Sequence, residues 1–224
     1  GCKKVIDAFI AGGVDAIEIG FPYSDPVMDG PTIQAAADRA LSQGTGAAEV
    51  FDALKYATEK GIPSVVMTYW NPIEKYGVEK FAEAIHRNGG SGVITPDLTI
   101  EESSRWKDVV APSTTDARLE KVTSRCAGFI YAASLMGVTG TRTSVSSGAA
   151  DLVTRIRKSS QTPVAVGLGV STREQAKGVA AYADGVIVGS AFINKLLEAT
   201  DEESGLQAVQ ELAAELSKGV REGR

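Results

Sequence analysis

Glu18 sits in the middle of an apolar run, Ala16-Ile17-Glu18-Ile19-Gly20, and two further acids follow, Asp25 and Asp29. Read as a strand, the run turns Ile17 and Ile19 to one face and Ala16, Glu18 and Gly20 to the other. The isoleucines suit a face covered by helices. The small neighbours of Glu18 leave room beside its carboxylate. A buried ionised carboxylate without a partner is costly, so Glu18 needs either a bonding group or a ligand. Each acid also has a plainer use. Glu18 could bond a buried backbone group, Asp25 in Ser24-Asp25-Pro26 suits a turn, and Asp29 could open the helix that Pro31 begins. Taken together, an acid inside a strand and another on the loop leaving its C-terminal end make a sensible acid–base pair.

Other chemistries are poorly supplied. The chain holds one histidine, His86, near the end of a predicted helix that stops at Asn88-Gly89-Gly90. A surface position there leaves no Ser–His–acid or Cys–His set and no multi-histidine metal site. Cys2 and Cys126 have no metal or framework spacing; they read as small hydrophobes in a reducing cytoplasm. A net charge of -5 argues against nucleic acid and anionic membranes as partners. No apolar run is long enough for a membrane span. Proton transfers would fall to carboxylates, tyrosines or lysines.

These residues must be held by a scaffold, and the chain offers a regular one. Its 224 residues, 43% hydrophobic and 23% charged, suit one α/β domain over 1–224. Strands are expected at 16–20, 64–69, 92–95, 109–111, 129–132, 164–166 and 185–188. Helices are expected at 4–11, 31–41, 47–60, before Asn88, and at 100–106, 116–124, 149–158, 172–181, 191–199 and 206–221. Asn71-Pro72 reads as loop. Short Val- and Ile-rich strands alternating with helices mean a parallel sheet, and unbroken repetition favours a (β/α)8 TIM barrel with one strand unaccounted for. Gly167-Leu168-Gly169 is no dinucleotide fingerprint.

Barrels of this kind work at the C-terminal ends of their strands and bind phosphate after the last two. Here those strands end in Gly167-Leu168-Gly169 and in Gly189-Ser190, the latter running straight into a helix. Glycines let backbone N–H groups close on an anion, and the helix dipole adds to this. The alternative is that they only turn the chain. Gly137 to Gly148, long and built of small residues, reads as a lid or a solvated linker.

At this point the chain resembles the tryptophan synthase alpha chain family. Ile17 to Gln34, IEIGFPYSDPVMDGPTIQ, is very similar to that family's signature. Met67-Thr68-Tyr69-Trp70-Asn71-Pro72, Ile94-Thr95-Pro96-Asp97, Val110-Ala111-Pro112-Ser113, Ser134 to Gly140, Gly167-Leu168-Gly169 and Val188-Gly189-Ser190 agree in order. The resemblance implies retro-aldol cleavage of indole-3-glycerol phosphate to indole and glyceraldehyde 3-phosphate. It implies that Glu18 is the acid–base that protonates indole C3, and that Asp29 bonds the indole N–H. Tyr131 matches the active-site tyrosine, Met67 lines the indole pocket, and Thr139 on the lid bonds the aspartate. Gly140, Gly169, Gly189 and Ser190 match the phosphate site. Pro22 to Asp29 and the lid face a beta chain that carries pyridoxal phosphate, in an α2β2 assembly; the alpha chain itself carries no cofactor or metal.

Two departures set further expectations. The family begins with a barrel strand before the helix of Val5 and Phe9, so the first strand reads as missing from these 224 residues. The stretch from Trp106-Lys107 to Asp108-Val109 is shorter than in the family, and segments are expected to be absent at both places. A separation well beyond 3.8 Å between the Cα atoms of Lys107 and Asp108 would show the second. Two other functions remain open on sequence: a stand-alone indole-releasing lyase, and a non-catalytic partner that only activates a beta chain.

Overall fold

The computed structural model describes residues 1–98, 116–124, 128–133, 147–167 and 169–224. Its elements run α1 (Cys2–Ala11), β1 (Ile17–Gly20), α2 (Pro31–Ser42), α3 (Ala47–Glu59), β2 (Ser64–Met67), α4 (Trp70–Tyr76), α5 (Val78–Arg87) and β3 (Gly92–Ile94). Then come α6 (Asp116–Thr123), β4 (Ile130–Ala133), α7 (Ser147–Arg157), β5 (Val164–Gly167), α8 (Arg173–Ala180), β6 (Gly185–Val186), α9 (Ser190–Glu198) and α10 (Glu202–Gly223). The expected helix at 100–106, the strand at 109–111 and the Lys107–Asp108 junction lie outside the described residues.

The strands form two parallel sheets, β1-β2-β3 and β4-β5-β6. Glu18 pairs in register with Val65, and Tyr131 with Ala165. Alternation is as the sequence requires. In β1 the isoleucines are buried against helices while Glu18 and Gly20 keep accessible surface. In β4 Ile130 and Ala132 face the helices and Tyr131 faces inward with Ala133.

Each sheet has its own apolar layer. Ile17, Ile19 and Val66 pack with Val50, Leu54, Ile73, Phe81 and Ile85 on one side of the molecule. Ile130, Val164 and Val166 pack with Leu152, Ile156, Val179 and Val209 on the other. Helix α1 joins them, because Ile6 belongs to the first layer, Ala8 to the second, and Phe9 and Val14 touch both.

Three expectations need correction. Asn71-Pro72 is not loop but lies in the first turn of α4. Proline is tolerated there because the N–H it lacks has no intrahelical acceptor. Gly77, at φ 97°, then separates α4 from α5, the helix expected before Asn88. Helix α10 starts four residues early, because the Asp201 carboxylate accepts the Ser204 N–H (2.8 Å) and caps it. Cys2 is exposed rather than a core hydrophobe. Strand β6 is short, although the Ile187 N–H still donates to the Val166 carbonyl (2.8 Å).

Helix α10 lies so close to α8 that a Cβ on Gly219 would come within 2.3 Å of the Arg173 carbonyl oxygen. Gly178, on exposed α8 surface, has open space around it. Opposite outcomes are therefore expected from the same substitution. Gly219→Ala should destabilise by about 1–3 kcal/mol through overpacking. Gly178→Ala should stabilise by roughly 0.5–1 kcal/mol through helix propensity. Urea midpoints at unchanged m decide both.

Candidate active site

A cavity of about 1450 Å³ opens inside the strands, and Glu18, Asp29, Met67, Tyr131, Gly169, Gly189 and Ser190 all line it. Seven of the nine residues singled out from sequence thus meet at one place. The other two, Thr139 and Gly140, lie outside the described residues, as does the expected lid. Asp25 takes the plainer of its readings, accepting from the Ser24 hydroxyl (2.6 Å) on the surface. His86 is exposed on the last turn of α5.

Glu18 reaches the cavity because strand alternation turns it away from Ile17 and Ile19. It keeps accessible surface because the cavity is open, yet protein atoms crowd it from most directions. Burial, and then the neighbouring Asp29 carboxylate, push its carboxyl up to about 7. Both causes act in the same direction, each disfavouring the charged form.

Asp29 does not cap α2; the cap position is Gly30, with Pro31 at the first helical residue. Its carboxylate instead accepts a hydrogen bond from the Tyr69 hydroxyl (3.1 Å). Burial raises the Asp29 pKa while that hydrogen bond lowers it. The Tyr69 oxygen also accepts the Met28 N–H (3.0 Å), so one phenol ties two consecutive residues of the loop. Burial pushes Tyr69 up to about 12. Sequence reasoning gave Tyr69 no role. Its signals were its place at the C-terminal end of an expected strand, where barrel enzymes keep their reacting groups, and within the Met67 to Pro72 stretch that resembles the family.

Tyr131 completes the polar wall. Burial first, then the charges of Glu18 and Asp29, raise its pKa. Its ring needs a glycine opposite: a Cβ on Gly167 would come 2.5 Å from the Tyr131 hydroxyl. At the other end of the cavity, Gly189 precedes α9 and Gly169 turns the chain at φ 87°, where a side chain would be strained. Backbone N–H groups at a helix start, with Ser190 beside them, can hold an anion without a basic side chain. Among the described residues no group of histidines, cysteines and acids has metal-binding geometry.

Comparison with known proteins agrees with this arrangement. The family model described as tryptophan synthase alpha chain matches residues 1–221. The chain belongs to the tryptophan synthase alpha chain family. Its alignment with the tryptophan synthase alpha chain of Streptomyces coelicolor is 52% identical over 233 residues, covering 99% of this chain and 86% of that one. The fold is likewise similar to solved structures. Mycobacterium tuberculosis tryptophan synthase superposes with a TM-score of 0.91 at 44% identity, over 98% of this chain and 86% of the other. A Pyrococcus furiosus structure, which concerns mutual activation of a tryptophan synthase α2β2 complex, gives a TM-score of 0.83 at 33% identity, over 97% and 92%. The fold is therefore the TIM barrel expected, and the two parallel sheets are consistent with a first strand missing from these residues. The family cleaves indole-3-glycerol phosphate in tryptophan biosynthesis. No helix among the described residues is long and apolar enough to cross a membrane.

The raised pKa of Glu18 has a consequence for stability. An acid whose folded pKa lies above its unfolded value binds more protons when folded, so stability falls as pH rises between the two values. For Glu18 that window runs from its ordinary 4.5 to about 7. Glu18→Gln, which cannot ionise, should match the parent near pH 4.5 and become progressively more stable than it toward pH 7.5. Urea midpoints across this range check the trend; a constant difference would place the Glu18 pKa at its ordinary value.

Proposed function

We propose that this chain is the lyase half of tryptophan synthase, and that Glu18 and Asp29 carry out the cleavage of indole-3-glycerol phosphate. In the bound substrate Asp29 accepts the indole N–H and favours positive charge on the ring nitrogen. Glu18 gives its proton to indole C3, leaving a cationic ring. The conjugate base of Glu18 then takes the proton of the hydroxyl on the adjacent side-chain carbon. That carbon becomes the aldehyde of glyceraldehyde 3-phosphate, the bond to C3 breaks, and its electron pair restores neutral indole. One proton leaves Glu18 and one returns, so the residue is regenerated.

The observation that carries this reading is a glutamate near pKa 7 in one cavity with a second carboxylate. A group that must both give and take a proton near neutral pH works best with its pKa there. Met67 fits the apolar indole wall and Tyr131 a hydroxyl donor beside the reacting carbons. Gly169, Gly189 and Ser190 suit the phosphate, with Thr139 and Gly140 assigned to lid and phosphate by resemblance.

The partner in this reading is a tryptophan synthase beta chain, which holds the pyridoxal phosphate, in an α2β2 assembly in the cytoplasm. Val27 and Met28, 77% and 47% exposed on the loop that carries Asp29, supply apolar surface for it. No step of the lyase reaction needs a metal or cofactor of this chain.

An indole-release assay, with and without beta chain, tests the reading. Glu18→Gln and Asp29→Asn should each reduce release by about 10²–10⁴-fold with the fold intact. Parental turnover by Glu18→Gln would remove Glu18 from its role. No release by the parent, combined with activation of a beta chain, would make the chain a non-catalytic partner instead. Saturating beta chain should also raise the parental rate, and a ligand of this site should alter the beta chain in turn, since such coupling is reciprocal in binding. Equal lyase rates with and without beta chain would support the stand-alone enzyme.

A further inference from the structure

Asp29 stands on a loop with no regular structure between β1 and α2, and the two residues before it are exposed. Its backbone is held locally: its N–H donates to the Pro26 carbonyl (3.2 Å), and its own carbonyl accepts from the Gln34 side chain (2.8 Å). Neither bond aims the carboxylate. Among the described residues, the hydrogen-bond partner of that carboxylate is the Tyr69 hydroxyl.

Tyr69 is itself unusually well fixed. It is 6% exposed, and its ring lies 5.2 Å from that of Tyr23 at 33°. It is also the N-cap residue of α4, a position where tyrosine is a poor choice because its side chain does not bond the first-turn N–H groups. Asp97, just past β3, fills that role from another element. Both its carboxylate oxygens accept the Trp70 N–H, at 3.0 and 3.1 Å. The Tyr69 side chain is thereby left to reach the loop, and the peptide from which it projects is clamped by Asp97.

We propose that Tyr69 is the positioning residue for Asp29 and that Asp97 acts on the reaction through Tyr69. This deepens the lyase reading and rests on it. Three successive strand ends then cooperate on one carboxylate: Asp97 after β3 sets the Tyr69 peptide after β2, and Tyr69 sets Asp29 after β1. Among the described residues, the charged and titratable groups facing Asp29 are Glu18 from β1, Tyr131 from β4 and Tyr69; Asp97 and Tyr23 stand around Tyr69. A phenol donating to a carboxylate favours its charged form. Loss of the hydroxyl should therefore raise the Asp29 pKa and weaken its hold on an indole N–H.

The test uses the chain with saturating beta chain, in four variants: Tyr69→Phe, Asp97→Ala, Asp97→Asn and Tyr69→Phe/Asp97→Ala. Phenylalanine keeps the ring against Tyr23. Asparagine keeps a carbonyl oxygen for the Trp70 N–H, so it should restore what alanine loses. A hydrogen bond to a charged group corresponds to a loss of about 10–100-fold. That loss is expected in kcat for Tyr69→Phe, with KM within about threefold and thermal unfolding near the parent's. Asp97→Ala should lower kcat in the same sense, yet add less than about twofold in the Tyr69→Phe background, as expected of residues acting in series. In parallel, ¹³C-carboxyl labelling should show the Asp29 titration moving to higher pH in Tyr69→Phe. An unmoved titration with parental kcat overturns the role of Tyr69. Multiplied losses in the double variant overturn the route through it. The carboxyl titration reads the positioning without turnover, so a parent silent in the indole assay would reject the lyase reading while leaving this decision intact.

Discussion

Two carboxylates share one cavity, and among the described residues no cation offsets the charge that Glu18 would carry there. The Glu18 pKa reflects burial first and the Asp29 charge second, both unfavourable to its ionised form. Two of the basic side chains on the cavity wall are engaged elsewhere: Lys3 pairs with Asp52 (2.8 Å) and Lys4 with Glu202 (2.5 Å). In the proposed reading this constraint accounts for the composition of the phosphate site, Gly169, Gly189 and Ser190. A lysine or arginine set there to hold a phosphate would also pull the Glu18 pKa down. Glycines and the start of α9 present only partial charges, which decay over a short distance. In that reading one cavity accommodates both a phosphate and an acid pushed up to about 7.

How much of this was legible in the sequence follows from which interactions are local. Strand alternation is local, so Ile17, Glu18 and Ile19 could be assigned to faces from five residues, and the structure agrees. Helix starts marked by proline or glycine were also legible, as at Pro31 and Ser190. The failures involve partners distant in sequence. The loop expected at Asn71-Pro72 is the first turn of α4 because Asp97, 27 residues away, supplies its cap. Asp29 could not be separated from a helix-start residue, because what distinguishes it is the Tyr69 hydroxyl 40 residues on. Glycines at 167 and 219 carry no local sign that one faces a tyrosine and the other a helix backbone. The family resemblance supplied a role for Asp29, but not the physical reason for it.

In the proposed reading, four titratable groups of the described residues surround the reacting centre. Burial raises the Asp29 pKa, and the hydrogen bond from Tyr69 opposes that effect. Glu18 is pushed up to about 7. Tyr69 is pushed up to about 12, and Tyr131 is raised by burial and by both carboxylates. Near neutral pH both phenols therefore remain donors, and neither adds a third negative charge to the cavity. Burial and then the charge on Asp29 disfavour the ionised form of Glu18, while the Tyr69 hydroxyl donates to Asp29 and favours the charged form there. In the proposed reading the proton chemistry therefore falls to Glu18, the one of these groups pushed up to about 7, while both phenols stay protonated near neutral pH.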